Sequence, residues 1–169
     1  MLQIVLLSKQ HDRDAFRCGE RDLEDYLKRT ARQHNEKGIA RTFVLIDTEE
    51  PTRILGFLTL ASCEVVSGDL PTEYAKKYPT KAPVAKLARL AVSIDRHRQG
   101  LGRIMMVEAM RRTLSVSENI GLIGFLVDAK NQSASEYYAQ YGFIPLTNPP
   151  LTLFLPLTTM AAAVEMLGE

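Results

Sequence analysis

Arg96, Arg98 and Arg103 surround a glycine pair, Gly100 and Gly102, where an apolar run gives way to a helical pattern. Residues of those types in that order can hold a phosphate. The first N–H groups of a helix have no intrahelical partner and carry partial positive charge. Glycines let phosphate oxygens approach that backbone, the arginines add charge, and a bound phosphate would cap the helix. From Lys86 to Arg112 seven basic residues stand against two acidic ones, a net of +5. The plainer reading of the pair is a tight turn from strand to helix. Two common phosphate-binding forms are excluded. No Gly-Lys pair occurs, so G-x-x-x-x-G-K-[ST] is absent. Met105 stands where the third glycine of G-x-G-x-x-G belongs.

A second candidate is Tyr138, on a helix that Asn131 is suited to cap and Gly142 to stop. A phenol of pKa ~10 is neutral at pH 7 and can donate a proton. The plainer reading is an aromatic packed on a helix's apolar side. Tyr137, one residue earlier, points to another side and reads as core. The acidic counterpart of the basic segment runs from Asp47 to Glu73, with six carboxylates against Arg53, a net of −5. Cys18 and Cys63 have neither a nucleophile motif nor metal-ligand spacing around them, so no metal is expected.

The elements that must position these residues follow from periodicity. Leu2 to Leu7 reads as an opening or edge strand. A helix is predicted from Glu20 to Lys37, with Leu23, Tyr26, Leu27, Thr30 and Ala31 on one face and Gly38 as its stop. Thr42–Ile46 and Ile54–Val66 read as a hairpin turning through Asp47–Thr52. Asp69–Ala82 reads as a loop with one helical turn. Val84–Ile94 is a central strand, and Leu101–Leu114 the helix after the basic turn. Ile120–Val127 is a buried strand, followed by the helix from Asn131 to Tyr141. Phe143–Leu146 and Leu151–Leu155 form a last strand pair, and Thr158–Leu167 a short helix. Intermingled strands and helices with hairpins at both ends indicate an α/β or α+β chain with a mixed sheet.

The 169 residues, 46% hydrophobic and 24% charged with a net charge of +1, fit one soluble domain over residues 1–169. Disorder would need fewer apolar residues and more net charge. A membrane span needs about 20 uninterrupted apolar residues. Leu151–Gly168 comes nearest and is broken by Pro156, three threonines and Glu165. The N-terminus lacks the pattern of a signal peptide. A reduced, cytoplasmic setting is expected.

The run His97-Arg98-Gln99-Gly100-Leu101-Gly102 resembles the acetyl-CoA-binding motif [Q/R]-x-x-G-x-[G/A] of the GNAT (GCN5-related) N-acetyltransferases, departing from it at His97. Asn131-x-x-Ala134-x-x-Tyr137-Tyr138-x-x-x-Gly142-Phe143 resembles a second motif of that family at every fixed position. The resemblance implies a mixed sheet with two splayed parallel strands and acetyl-CoA as cosubstrate. It implies cofactor contacts at Leu90, Ala91 and Val92, from His97 through Arg98, Gln99, Gly100, Leu101 and Gly102 to Arg103, and at Asn131 and Ser133. It further implies that an acceptor amine attacks the thioester directly. The N–H of Val92 would polarise the carbonyl and Tyr138 would protonate the departing thiolate.

The run from Phe16 to Ala31, Arg89-Leu90-Ala91-Val92, Val127-Asp128-Ala129-Lys130 and the ending Gly142-Phe143-Ile144-Pro145 are similar to GNAT toxins of bacterial type II toxin–antitoxin systems. That resemblance covers nearly the whole chain. It implies acetylation of the α-amino group of an aminoacyl-tRNA, a cognate antitoxin of ribbon-helix-helix type, and a homodimer. A tRNA acceptor needs positive surface. Lys28, Arg29, Arg32 and Arg89 are the candidates for it, although Lys28, Arg29 and Arg32 also read as an ordinary solvated helix face. One rival is a GNAT acetylating a polyamine, an aminoglycoside or a protein amine, with the acidic stretch as its acceptor site. The other is a non-catalytic CoA-binding module, which would have no need of Tyr138. The sequence names neither the amino acid on the tRNA nor the antitoxin.

Overall fold

The computed structural model describes residues 1–168; Glu169, the last residue of the expected domain, lies outside them. Seven strands form one mixed sheet in the order β1-β2-β3-β4-β5-β7-β6. They are β1 (Leu2–Leu6), β2 (Arg41–Asp47), β3 (Gly56–Val66), β4 (Lys81–Val92), β5 (Gly124–Asp128), β6 (Ile144–Pro145) and β7 (Thr152–Pro156). Between and after them come α1 (Arg21–Arg29), α2 (Ala31–Lys37), α3 (Thr72–Ala75), α4 (Leu101–Ser117), α5 (Gln132–Ala139) and α6 (Leu157–Leu167). β1 pairs antiparallel with β2, and β2 with β3. β4 and β5 run parallel, and β5–β7 and β6–β7 are antiparallel. The parallel ladder matches Ala85 with Phe125 and ends at Leu87 and Val127. β4 runs on to Val92, so five of its residues extend beyond that ladder. The mixed α/β fold expected from the sequence is thus present.

The chain divides into two compact units. The first comprises residues 1–61 and 88–108. Its core gathers Phe16, Tyr26, Leu27, Ala31, Val44, Phe57 and Ala91, with Phe16 edge-on to Phe57 at 5.6 Å between centroids. Each such buried aromatic contributes roughly 2 kcal/mol of apolar burial before packing geometry is counted. The second comprises residues 62–87 and those from 109 onward, with a core of Val65, Leu70, Ala82, Val84, Leu126, Leu146 and Phe154.

Several boundaries differ from the sequence expectation. The helix expected over Glu20–Lys37 is two helices, broken at Thr30, whose φ of −121° lies off the helical region. A β-branched residue is a weak helix former, and the apolar pattern runs through the break because α2 packs Ala31 into the same core. Gly38 ends α2 at φ 72°, as expected of a stop. The strand expected from Ile120 begins only at Gly124, and Ile120 is 65% exposed. Gly124 sets that start. A Cβ there would lie 2.4 Å from the Leu155 carbonyl oxygen, so only glycine lets β5 close on β7. α4 runs three residues past its expected end, and α5 stops at Ala139 rather than Tyr141. Gly142, at φ 101°, then turns the chain toward β6. The expected final helix and last strand pair are present. Among the described residues no helix is long and apolar enough to cross a membrane.

Candidate active site

In the first unit the site is built on the end of β4. Ser93 turns the chain off the strand by donating its N–H to the Leu55 carbonyl at 2.8 Å. Its hydroxyl donates to Asp95 at 2.6 Å, and Arg53 forms an ion pair with the same carboxylate. The Ser93 hydroxyl and the Arg53 guanidinium hold the Asp95 carboxyl below its ordinary range. Ile94 donates its N–H to the Arg17 carbonyl at 2.8 Å, tying the loop before α1 to this corner. Glu24 fixes that loop from the other side, its carboxylate accepting the N–H groups of Cys18 at 2.8 Å and Gly19 at 3.0 Å. None of these anchors was singled out from the sequence. The Ser93-x-Asp95 spacing and the Glu24 contact with Cys18 and Gly19 are local; the Arg53–Asp95, Ser93–Leu55 and Ile94–Arg17 contacts join distant segments.

From this anchor the basic turn folds back. Arg98 has φ 64° and Gly100 φ 78°, two left-handed residues flanking Gln99. No atom lies within 4 Å of a Cβ placed on Gly100, so the glycine is required by its backbone angle and not by crowding. The first α4 hydrogen bond runs from the Ile104 N–H to the Gly100 carbonyl at 3.2 Å. The N–H groups of Leu101, Gly102 and Arg103 precede that bond and are the free donors of the helix end. Leu101 is buried and pins the turn, while Arg98, Gln99, Gly100 and Arg103 are exposed and Arg96 is half-buried. Unpaired N–H donors, a left-handed loop and exposed guanidinium groups fit the pyrophosphate of acetyl-CoA. The His97 Nε2–H donates to the Val92 carbonyl at 2.8 Å. Leu90 and Val92 are half-buried, and Ala91 packs into the core.

In the second unit Asn131 caps α5, its side-chain oxygen accepting the Ala134 N–H at 2.9 Å, and Ser133 is exposed on the first turn. The two tyrosines of this helix differ in what their hydroxyls do. Tyr137 bonds the Tyr141 hydroxyl at 2.9 Å. Tyr138 is half-buried between the rings of Tyr137 and Phe143, at 5.4 and 5.9 Å, and its hydroxyl makes no hydrogen bond to any described residue. Burial, with the neighbouring Tyr137, pushes the Tyr138 phenol above its ordinary value. It is a neutral proton donor at physiological pH with its donor unused. At the end of β5, Asp128 pairs with Lys86 at 2.6 Å and accepts the Thr152 hydroxyl at 2.7 Å. Burial opposes its ionisation, and those two donors outweigh it, so its carboxyl sits below the usual range.

The basic candidates are unequal. Lys28 pairs with Asp14 at 3.8 Å and Arg32 with Glu36 at 3.4 Å, whereas the exposed Arg29 has no side-chain partner among the described residues. Arg89 lies with its guanidinium carbon 3.5 Å from the centre of the Tyr26 ring. The acidic stretch does not gather into one site. Asp47 binds the N-terminal ammonium at 3.1 Å, while Glu64, Asp69 and Glu73 belong to the other unit. Both cysteines are free thiols, and burial pushes that of Cys63 up, away from the nucleophilic thiolate. Among the described residues no group of three or more potential metal ligands occurs.

A model of the acetyltransferase (GNAT) family matches residues 7–143. A protein of Mycobacterium tuberculosis described as a tRNA-acetylating toxin is 32% identical over 158 residues, covering 94% of this chain and 93% of its own. The structure of AtaT complexed with acetyl-methionyl-tRNAfMet superposes with a TM-score of 0.88 at 29% identity, over 100% of both chains. A tyrosine-to-phenylalanine mutant of the AtaT toxin, bound to the C-terminus of the antitoxin AtaR and to acetyl-CoA, gives 0.80 at 26% identity, over 96% of this chain and 97% of that one. The chain belongs to the acetyltransferase (GNAT) family. It is an acetyl-CoA-dependent N-acetyltransferase similar to the tRNA-acetylating GNAT toxins.

Proposed function

We propose that this enzyme transfers the acetyl group of acetyl-CoA to the α-amino group of an aminoacyl-tRNA and acts as the toxin of a type II toxin–antitoxin pair. The observation that carries the chemistry is the Tyr138 hydroxyl, without a hydrogen-bond partner among the described residues and kept protonated by burial. Acetyl-CoA supplies the activated thioester. The N–H groups at the start of α4, with Arg98 and Arg103, hold its pyrophosphate, and the exposed Asn131 and Ser133 border it. The backbone of Leu90, Ala91 and Val92 receives its pantetheine arm, and the Val92 N–H polarises the carbonyl oxygen. The neutral amine forms the new C–N bond as the C–S bond breaks. Tyr138 gives its proton to the leaving sulfur, and the proton shed by the amine returns to the phenol through water. No covalent enzyme intermediate is required.

The acceptor is assigned from the relatives and from the basic groups of the first unit. An acetylated α-amino group is no longer a nucleophile, so the modified aminoacyl-tRNA cannot extend a peptide in the usual way. This reading includes a cytoplasmic setting, a homodimer, and a ribbon-helix-helix antitoxin encoded beside the toxin. The deciding experiment incubates the purified protein with labelled acetyl-CoA and bulk charged tRNA, with uncharged tRNA and polyamines as controls. Label on charged tRNA alone supports the proposal, and separation by tRNA species then names the amino acid. Label on polyamine alone moves the acceptor to small amines.

A further inference from the structure

Arg89 is a half-buried cation with an unusual set of neighbours. Several basic side chains of the first unit face oxygen: Arg53 meets Asp95, Lys28 meets Asp14, Arg32 meets Glu36, and Arg13 and Arg17 meet backbone carbonyls; Arg21, Arg29, Arg98 and Arg103 are exposed to solvent. Arg89 has no carboxylate or carbonyl partner among the described residues; its guanidinium carbon lies over the Tyr26 ring, 3.5 Å from the ring centre. Stacking uses the face of the guanidinium. The five N–H donors lie in its plane and stay available for an in-plane, bidentate partner. Such a group is ready for a phosphate or carboxylate oxygen pair and has none among the described residues.

The ring beneath it is itself fixed. Tyr26 is buried, and its hydroxyl shares a 3.0 Å hydrogen bond with His34 Nδ1, the two rings meeting edge-on at 5.5 Å. That bond bridges the break at Thr30, joining α1 to α2. Arg29, which has no side-chain partner among the described residues, follows Tyr26 by three residues and so lies one turn along the same helix. The neighbour of Arg89 on the strand, Leu90, belongs to the stretch assigned above to the thioester.

We infer that Tyr26 is a positioning residue that orients Arg89 as an anion clamp for a phosphate of the acceptor tRNA beside the acetyl-transfer strand. This inference rests on the tRNA reading and adds which cation holds the acceptor, and how. A lysine in place of Arg89 keeps the charge but loses both the stack and the fork. A leucine in place of Tyr26 fills the core but offers no ring face. Phenylalanine keeps the face and loses only the His34 bond.

The test measures acetyl transfer to charged tRNA, and binding of uncharged tRNA by fluorescence anisotropy, for Arg89→Lys, Tyr26→Leu, Tyr26→Phe and the Arg89→Lys/Tyr26→Leu double variant. The expected result is a KM for charged tRNA raised about 5- to 10-fold in Arg89→Lys and in Tyr26→Leu, the size of a partly desolvated cation–π contact. The KM for acetyl-CoA stays near the parent value. The double variant is no worse than either single one, and Tyr26→Phe recovers most of the loss. Additive effects in the double variant, or an unchanged tRNA KM in Arg89→Lys, would overturn the clamp. So would a lower melting temperature in Tyr26→Leu with the tRNA KM unmoved, the mark of a merely structural stack. Failure of the parent protein to acetylate charged tRNA, with uncharged tRNA binding still dependent on Arg89 and Tyr26, would sink the aminoacyl-tRNA acceptor reading and leave the clamp standing. Binding that ignores both residues would sink the clamp in either case.

Discussion

His97 Nε2 donates to the carbonyl oxygen of Val92 at 2.8 Å, tying the first residue of the phosphate loop to the last residue of β4. The side chain at this motif position latches the strand end to the loop. The peptide unit ahead of Val92 supplies the proposed oxyanion donor, so fixing the carbonyl of Val92 steadies that donor's neighbour. His97→Ala is expected to raise the KM for acetyl-CoA about fivefold, the worth of one hydrogen bond. His97→Gln, which retains a donor at the end of a short side chain, is expected to restore most of it. Steady-state kinetics with varied acetyl-CoA reads both; equal values in the two variants would mean that the latch is not what His97 contributes.

Tyr138 and Tyr137 make a matched pair for testing the proton donor. Tyr138→Phe removes the unused hydroxyl and is expected to lower kcat about 100- to 1000-fold while leaving acetyl-CoA affinity within twofold, as for loss of a general acid. Tyr137→Phe breaks the bond to Tyr141 and is expected to lower melting temperature slightly with little change in kcat. The pH profile carries its own sign. The protonated phenol is the active form and burial raises its pKa, so the alkaline limb due to Tyr138 should fall above the ordinary tyrosine range. An alkaline limb at or below that range would assign the limb to another group.

Gly100 sits at φ 78° with open space around its missing Cβ. Gly100→Ala therefore meets only backbone strain, about 1 kcal/mol, and is expected to fold and to bind acetyl-CoA modestly more weakly. Gly100→Asp adds a carboxylate beside the free N–H groups of α4, where it competes with the cofactor phosphates. Isothermal titration should show binding retained in the first variant and abolished in the second, with similar melting temperatures. Normal binding by Gly100→Asp would place the phosphate cradle elsewhere.

The second unit has a pH signature of its own in Asp128, whose carboxyl is held down by hydrogen bonds from Lys86 and Thr152 against the opposing effect of burial. A carboxyl whose folded pKa lies below its unfolded value adds stability above the unfolded pKa and loses it as pH falls through the folded one. Asp128→Asn is therefore expected to lower the melting temperature at pH 7 and to flatten its fall between about pH 5 and pH 2. Thermal denaturation across that range checks it; an acid limb as steep as the parent's would assign the limb to Asp95 or Glu24, which are also held low.

What the sequence made legible divides along the line between local and distant partners. The glycine pair and the Asn131 cap are local patterns, and each stands where the sequence puts it; β4 is present but runs Lys81–Val92 instead of the expected Val84–Ile94. Thr30 was misread because the apolar repeat continues across the break, and periodicity alone does not register a change of axis between two helices feeding one core. The start of β5 was misread for the opposite reason: Ile120 extends the apolar run and yet lies exposed, because the strand begins where Gly124 meets the Leu155 carbonyl. The Arg53–Asp95 pair, the Glu24 carboxylate on Cys18 and Gly19, and the Arg89–Tyr26 stack leave no mark at fixed spacing, since their partners come from separate elements. Charge counting likewise grouped Lys28, Arg29 and Arg32, which the structure separates into two paired cations and one unpaired.

That separation ranks the basic residues of α1 and α2 for tRNA use. Lys28 and Arg32 already face carboxylates, so a phosphate would have to displace Asp14 or Glu36 to reach them. Arg29 is exposed and has no side-chain partner among the described residues, so its full charge is available. Charge reversal at Arg29 is expected to raise the KM for charged tRNA more than reversal at Lys28 or Arg32, and to reduce the salt dependence of binding by roughly one counterion per lost phosphate contact. Acetyl-CoA affinity should be unaffected, because the cofactor cradle is built from the end of β4 and the start of α4. Measuring tRNA KM from low to physiological salt in the three reversal variants decides the ranking. Equal effects at all three positions would mean that phosphate binding displaces the carboxylates freely, and no effect at any of them would return the helix pair to an ordinary solvated face.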